Sequence, residues 1–103
     1  MTPSNIYMLE GRKIARDHFV MQLMEGTEKI DVATFNLSAL ESHGFTSAES
    51  VFFMINGFAQ LTINEDNAII NTGEILHIPD GSELTINNMT GSEIFFMIIG
   101  VKK

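Results

Sequence analysis

The stretch Gly73 to Asn88 reads GEILHIPDGSELTINN, and its punctuation decides the fold class. Two short apolar runs, Ile75 to Ile78 and Leu84 to Asn88, are bounded by Thr72-Gly73 and separated by Pro79-Asp80-Gly81. Glycine adopts positive φ without steric penalty, proline holds φ near −65° and aspartate hydrogen-bonds its own backbone, so each boundary turns the chain. Runs this short are of strand length.

The same grammar extends outward in both directions. Upstream, Val51 to Ile55 is an apolar strand and Asn56-Gly57 a turn dipeptide; Ala59, Leu61 and Ile63 then alternate with Phe58, Gln60 and Thr62 as a half-buried return strand does. Glu65-Asp66-Asn67 is the next turn, before a strand from Ala68 to Asn71. Downstream, Met89 to Ser92 leads into Ile94 to Val101. Nearer the N-terminus, Phe19 to Glu25 and Lys29 to Leu37 flank Gly26-Thr27-Glu28 as a hairpin, after a short extended start at Ile6 to Leu9. Ser38 to Ser47, with His43 and Gly44, reads as a polar loop. About nine strands and no convincing helix predict an all-β fold of sandwich or barrel type, in one domain over residues 1–103.

Charge narrows the partners. A net charge of −7 with only six Lys and Arg argues against nucleic acid and against an anionic membrane surface, since both require clustered positive charge. No run approaches the roughly 18 consecutive apolar residues of a membrane span, and the start MTPSNIYMLEG lacks the order of a signal peptide. The chain has no Cys, which removes disulfides, thiol nucleophiles and thiolate metal sites, and the expected compartment is the cytoplasm. Seven Met fit an adaptable interior.

VFFMI at Val51 to Ile55 and IFFMII at Ile94 to Ile99 are apolar on both faces. A strand of an antiparallel sheet usually meets water on one side, so these two need a second cover. A homodimer is the expected cover; the alternative is the chain's own N-terminal segment.

Gly73, Pro79, Gly81 and Asn88 stand in the register G-x5-P-x-G-x2-H-x3-N, with Leu84 at the histidine. That pattern resembles the second signature of the cupin family. The stretch ending at Gly57 resembles the first, G-x5-H-x-H-x3-4-E-x6-G, with His43 and Phe45 at the paired histidines, Ser50 at the glutamate and Leu37 at the opening glycine. Nearly the whole chain is similar to small single-domain bacterial cupins. The resemblance implies a double-stranded β-helix, or jelly-roll barrel, with a site at its mouth built from both motifs. Family members include dioxygenases, decarboxylases, isomerases, lyases, sugar-binding sensors and seed-storage proteins, so the fold alone does not select an activity.

In metal cupins three His and one Glu hold the ion, whereas the matching positions here are His43, Phe45, Ser50 and Leu84. Phe and Leu cannot ligate, and one imidazole with a weak hydroxyl makes a poor transition-metal site, so neither metal nor cofactor is expected. Ser50, Phe52 and Met54 share a strand face that the family register turns inward, beside Leu84 and Ile86. With Phe45 they are expected to line an apolar, uncharged pocket; the alternative is plain core packing. His18 reads as a solvated or capping histidine, and so does His43 unless it reaches the cavity. His77, inside the apolar run Ile75 to Ile78, either points into the barrel or interrupts the outer face; Glu49 faces the cavity only if a bulge shifts its strand. The preferred reading is a metal-free barrel binding a small, mostly apolar or neutral molecule. The alternatives are a metal-independent isomerase, cyclase or lyase using His77, His43 or Glu49 as acid and base, and a structural or partner-binding barrel with a filled interior.

Overall fold

Alternation on short strands sorts side chains into two faces, and burying one face of each strand brings two antiparallel sheets together. The structure, a computed structural model, describes residues 3–16, 18–24 and 28–101. Its strands are β1 (Gly11–Arg16), β2 (Phe19–Met24), β3 (Ile30–Leu37), β4 (Ser42–Ser47), β5 (Ser50–Asn56), β6 (Phe58–Ile63), β7 (Asp66–Asn71), β8 (Ile75–Ile78), β9 (Ser82–Asn87) and β10 (Ile94–Val101). One sheet runs β1-β2-β3-β10-β5-β8 and the other β4-β9-β6-β7. From β3 onward the chain changes sheet at every connection except β6 to β7, which is the winding of a jelly-roll, or double-stranded β-helix. Among the described residues no helix is long and apolar enough to cross a membrane.

The core lies between the sheets. Phe52 and Met54 of β5, Phe96 of β10, Leu37 of β3 and Ile78 of β8 meet Leu61 of β6 and Leu84 and Ile86 of β9, all essentially inaccessible to water. The quoted stretch supplies its corners. Gly73 and Gly81 both have positive φ, at 85° and 76°, and Ser82 Oγ donates to Pro79 O at 2.7 Å, closing the turn before β9. Asn88 is wholly buried, and its Nδ2 lies 2.8–3.1 Å from Leu37 O, Ser38 O and Ser92 O while its Oδ1 accepts from Thr90 N–H and Oγ–H. The asparagine of the motif is thus a structural knot that ties the end of β3 to the loop before β10.

Ser38 to Ser47 is not a single polar loop, because Ser42–Ser47 forms β4 and pairs with β9 from Ser42↔Asn87 to Ser47↔Ser82. Its polar composition reflects one exposed face, Ser42, Gly44 and Thr46, while His43, Phe45 and Ser47 turn inward. The expected nine strands become ten among the described residues, and the first is Gly11–Arg16 rather than Ile6 to Leu9. Residues 5–8 turn instead, with Tyr7 N–H donating to Asn5 Oδ1 at 2.8 Å and Met8 N–H to Asn5 O at 2.9 Å. The β2–β3 hairpin forms, Phe19↔Leu37 to Leu23↔Ala33, with β3 starting at Ile30 rather than Lys29; Glu25, Gly26 and Thr27 lie outside the described residues.

Asn56-Gly57 joins two sheets rather than two paired strands, since β5 pairs with β8 and β10 whereas β6 pairs with β7 and β9. Gly57 makes the corner at φ 113°, and a Cβ there would stand 2.6 Å from Ile94 Cγ2. Thr72 Oγ1 completes the corner, accepting from Gly57 N–H and donating to Gly57 O, both at 2.9 Å.

The N-terminal segment covers part of the outer face of the six-stranded sheet. Tyr7 stacks on Phe95 with ring centroids 5.2 Å apart, and Gln22 Nε2 donates to Leu9 O at 2.6 Å and to Gly11 O at 3.2 Å. Beyond that cover, Ile30, Val51, Ile75, Ile99 and Val101 stay exposed.

Candidate functional site

A cavity of about 230 Å³ opens on the inner face of the six-stranded sheet. Cross-strand register assembles it: Arg12 of β1 lies opposite Leu23 of β2, Leu23 opposite Ala33 of β3, and Ala33 opposite Ile98 of β10. The next inner row is Asp31, Gly100 and Ser50. Ala33, Gly100 and Ser50 are small, so these rows leave space where longer side chains would meet. Met21, Leu23, Ala33, Phe35, Phe45 and Ile98 give the walls an apolar character; Arg12, Asp31, Ser47 and Ser50 supply polar side chains. Phe35 and Phe45 lie nearly parallel at 9°, centroids 6.4 Å apart.

Of the residues expected to line a pocket, Phe45 and Ser50 do so. Phe52, Met54, Leu84 and Ile86 are packed in the core with at most 1% exposure, beyond the cavity walls. The empty space therefore lies beside Phe45 and Ser50 and not among the other four. Ser50 is itself nearly buried, its Oγ 3.0 Å from Ser47 Oγ, and Ser47 Oγ donates to Ala48 O at 2.7 Å.

The three candidate acid–base residues do not converge. His43, on the inner face of β4, is half-buried and stacks on Phe19 at 4.0 Å and 14°, with Phe45 tilted against it at 5.8 Å. Burial, then the nearby charges of His18 and Arg16, push its pKa below the ordinary histidine value. His77 interrupts the outer face, where its Nε2–H donates to Glu49 Oε2 at 3.0 Å in an exposed pair. No bulge turns Glu49 inward; with His77 it borders a shallow outer groove of about 290 Å³ floored by Val51, Ile99 and Val101.

At the four positions where metal cupins hold their ion, His43, Phe45, Ser50 and Leu84 sit on the inner faces of their strands, so the register of the motifs is retained in space. The donor set does not suit a transition metal: it offers one imidazole, and one hydroxyl already engaged with Ser47. Among the described residues no three His, Asp or Glu side chains gather elsewhere into a metal-binding group.

Arg12, Met21, Leu23, Asp31, Ala33, Phe35, Ser47 and Ile98 belong to the cavity and escape motif reading. The one hint is the alternation of VATF in β3, which places the small Ala33 between larger inward neighbours.

No protein-family model matches the chain, and no curated protein matches it significantly. Solved structures do. The polyketide cyclase RemF from Streptomyces resistomycificus matches with a TM-score of 0.79 at 15% identity, over 100% of this chain and 80% of that one. The Cupin_2 domain of an XRE-family transcriptional regulator from Enterobacter cloacae matches at 0.75 and 12%, over 84% of this chain and 98% of that one. A cupin superfamily protein from Desulfitobacterium hafniense matches at 0.75 and 12%, over 95% and 87%. With the strand winding and the spacing of the second motif, the chain has the fold of these cupin-domain structures, and His43, Phe45, Ser50 and Leu84 stand at the positions that match the metal ligands of metal cupins.

Proposed function

We propose that this protein is a metal-free cupin barrel that binds a small, mostly apolar molecule in the cavity between Phe35, Phe45 and Ser50. One observation carries the reading: the inner face holds a cavity of about 230 Å³ with predominantly apolar walls, while the deeper barrel is filled by Phe52, Met54, Leu84 and Ile86. Concave, apolar space with a few placed polar groups is what small-molecule sites share. The setting proposed for it is the cytoplasm. Native mass spectrometry of the purified protein tests the reading, together with a variant, Ala33→Phe, designed to fill the cavity. The expected result is a small molecule carried by the wild type and absent from a folded Ala33→Phe. A wild type that carries nothing and that no member of a small-molecule library stabilises would leave a filled structural barrel instead.

A second reading, a metal-independent isomerase, cyclase or lyase, is favoured by one feature. His43 is held toward its neutral form on the inner face against Phe19 and Phe45, and one of the similar folds is a polyketide cyclase. In this reading His43 is the acid–base group, because His77 and Glu49 face outward; it packs against Phe45 of the cavity wall and is not itself one of the lining residues. Turnover of a carried molecule that disappears in His43→Phe while binding persists would support it.

A further inference from the structure

The hydrogen bonds beside the cavity restrict what its occupant can offer. A serine hydroxyl has one proton, and Ser47 uses its proton on Ala48 O at 2.7 Å. In the 3.0 Å contact between Ser47 Oγ and Ser50 Oγ, Ser50 must therefore be the donor. That leaves Ser50, on the cavity wall, with lone pairs to offer and no proton. Asp31, half-buried on the same wall, has a carboxylate with no hydrogen-bond or ion-pair partner among the described residues. Two acceptors thus face the space, and Arg12, an exposed side chain at its edge, is the one cation among the lining residues and makes no ion pair with Asp31.

Resting on the binding reading above, we infer that the occupant is an uncharged aromatic molecule bearing a hydroxyl, which donates to Ser50 or Asp31 while its ring lies against Phe35 and Phe45. An ether of the same shape places a lone pair against these acceptors. A carboxylate places a charge beside Asp31. A buried acceptor left facing an acceptor loses affinity, so the discrimination comes from the mismatch as much as from the bond itself.

Calorimetric titration of the full chain with 2-naphthol, 2-methoxynaphthalene and 2-naphthoate decides it. The expected result is that 2-naphthol binds about fivefold or more tightly than either of the others, the effect of one net hydrogen bond or one mismatch. In Ser50→Ala that preference over the ether should shrink. In Ser47→Ala, where the Ser50 proton is released from Ser47, the ether should gain affinity; this second variant keeps the test sharp should Ser50→Ala fold poorly. Equal binding of 2-naphthol and its ether by the wild type overturns the inference, and tighter binding of 2-naphthoate overturns it in favour of an anion held by Arg12. If no probe binds while another molecule is carried through purification, the aromatic alcohol is rejected and the binding cavity stands. If nothing is carried or bound, both fall.

Discussion

His43 lies face to face with Phe19, and removing water from one side of an imidazole disfavours its charged form. The lowered pKa becomes a statement about stability. The unfolded chain binds the proton near the ordinary value of 6.5, whereas the folded chain takes it only at lower pH. Stability linked to His43 is thus complete above about pH 6.5 and declines as pH falls through the folded pKa. The expected outcome is that the melting temperature falls more between about pH 7.5 and about pH 5.5 in the wild type than in His43→Phe, which keeps the stack and cannot titrate. Scans at the two pH values check it, and equal slopes would contradict it. Leu84 tests the interior at the same scale. At 1% exposure its replacement by histidine buries a polar ring without a partner, so Leu84→His should lose about 1–3 kcal/mol in urea titrations, although metal cupins carry histidine at the matching position. An unchanged midpoint would mean that the barrel is open at that depth.

Corners and ties between strands carry the fold at the scale of elements. Gly57→Ala combines a φ of 113° with a Cβ 2.6 Å from Ile94 Cγ2, so either β10 shifts or the corner opens. The expected loss is about 2 kcal/mol, read from the denaturation midpoint. Asn88→Ala removes a buried side chain that serves Leu37, Ser38, Thr90 and Ser92 together. It should destabilise by about 3 kcal/mol, since buried carbonyls lose their donor with no water to replace it. Hydrogen exchange would place the loosened amides at the end of β3 and in the loop before β10. Neither effect belongs to an isolated strand, because each residue joins segments far apart in sequence.

At the scale of the whole molecule, the outer face of the six-stranded sheet is unevenly covered. The N-terminal segment shields the rows around Phe95 and Thr34, while Ile30, Val51, Ile75, Ile99 and Val101 form an exposed band across β3, β10, β5 and β8. A stable pair buries roughly 1,200 Å² or more in total, and the band spans four adjacent strands of the sheet. A second copy of the chain presents the same largely apolar band, edged by the exposed His77–Glu49 pair, so a two-fold pair can set the two bands against each other without any further partner. The expected state is a homodimer at micromolar concentration that Ile99→Glu converts to monomer, measured by light scattering. A wild type with the mass of one 11.5 kDa chain would exclude it.

Much of the fold was legible because it is local. Ile75 to Ile78 and Ile94 to Val101 have in the sequence the bounds they have in the structure, and Gly73 and Gly81 mark corners at positive φ. β4 was not legible, since a strand with one polar face looks like a loop until β9 is beside it. The Asn56-Gly57 turn is plain in the sequence, yet whether it pairs its flanking strands or divides them between sheets depends on β8, β9 and β10. The motifs likewise brought Phe45 and Ser50 to the cavity but not Arg12, Asp31 or Ala33, which reach it through the pairing of β1 with β2 and of β3 with β10. A sequence by itself determines which face of a strand avoids water, because that depends on the side chains in order. Where space remains between buried faces, and which polar groups border it, depends on neighbours supplied by distant strands, and only the tertiary structure decides that.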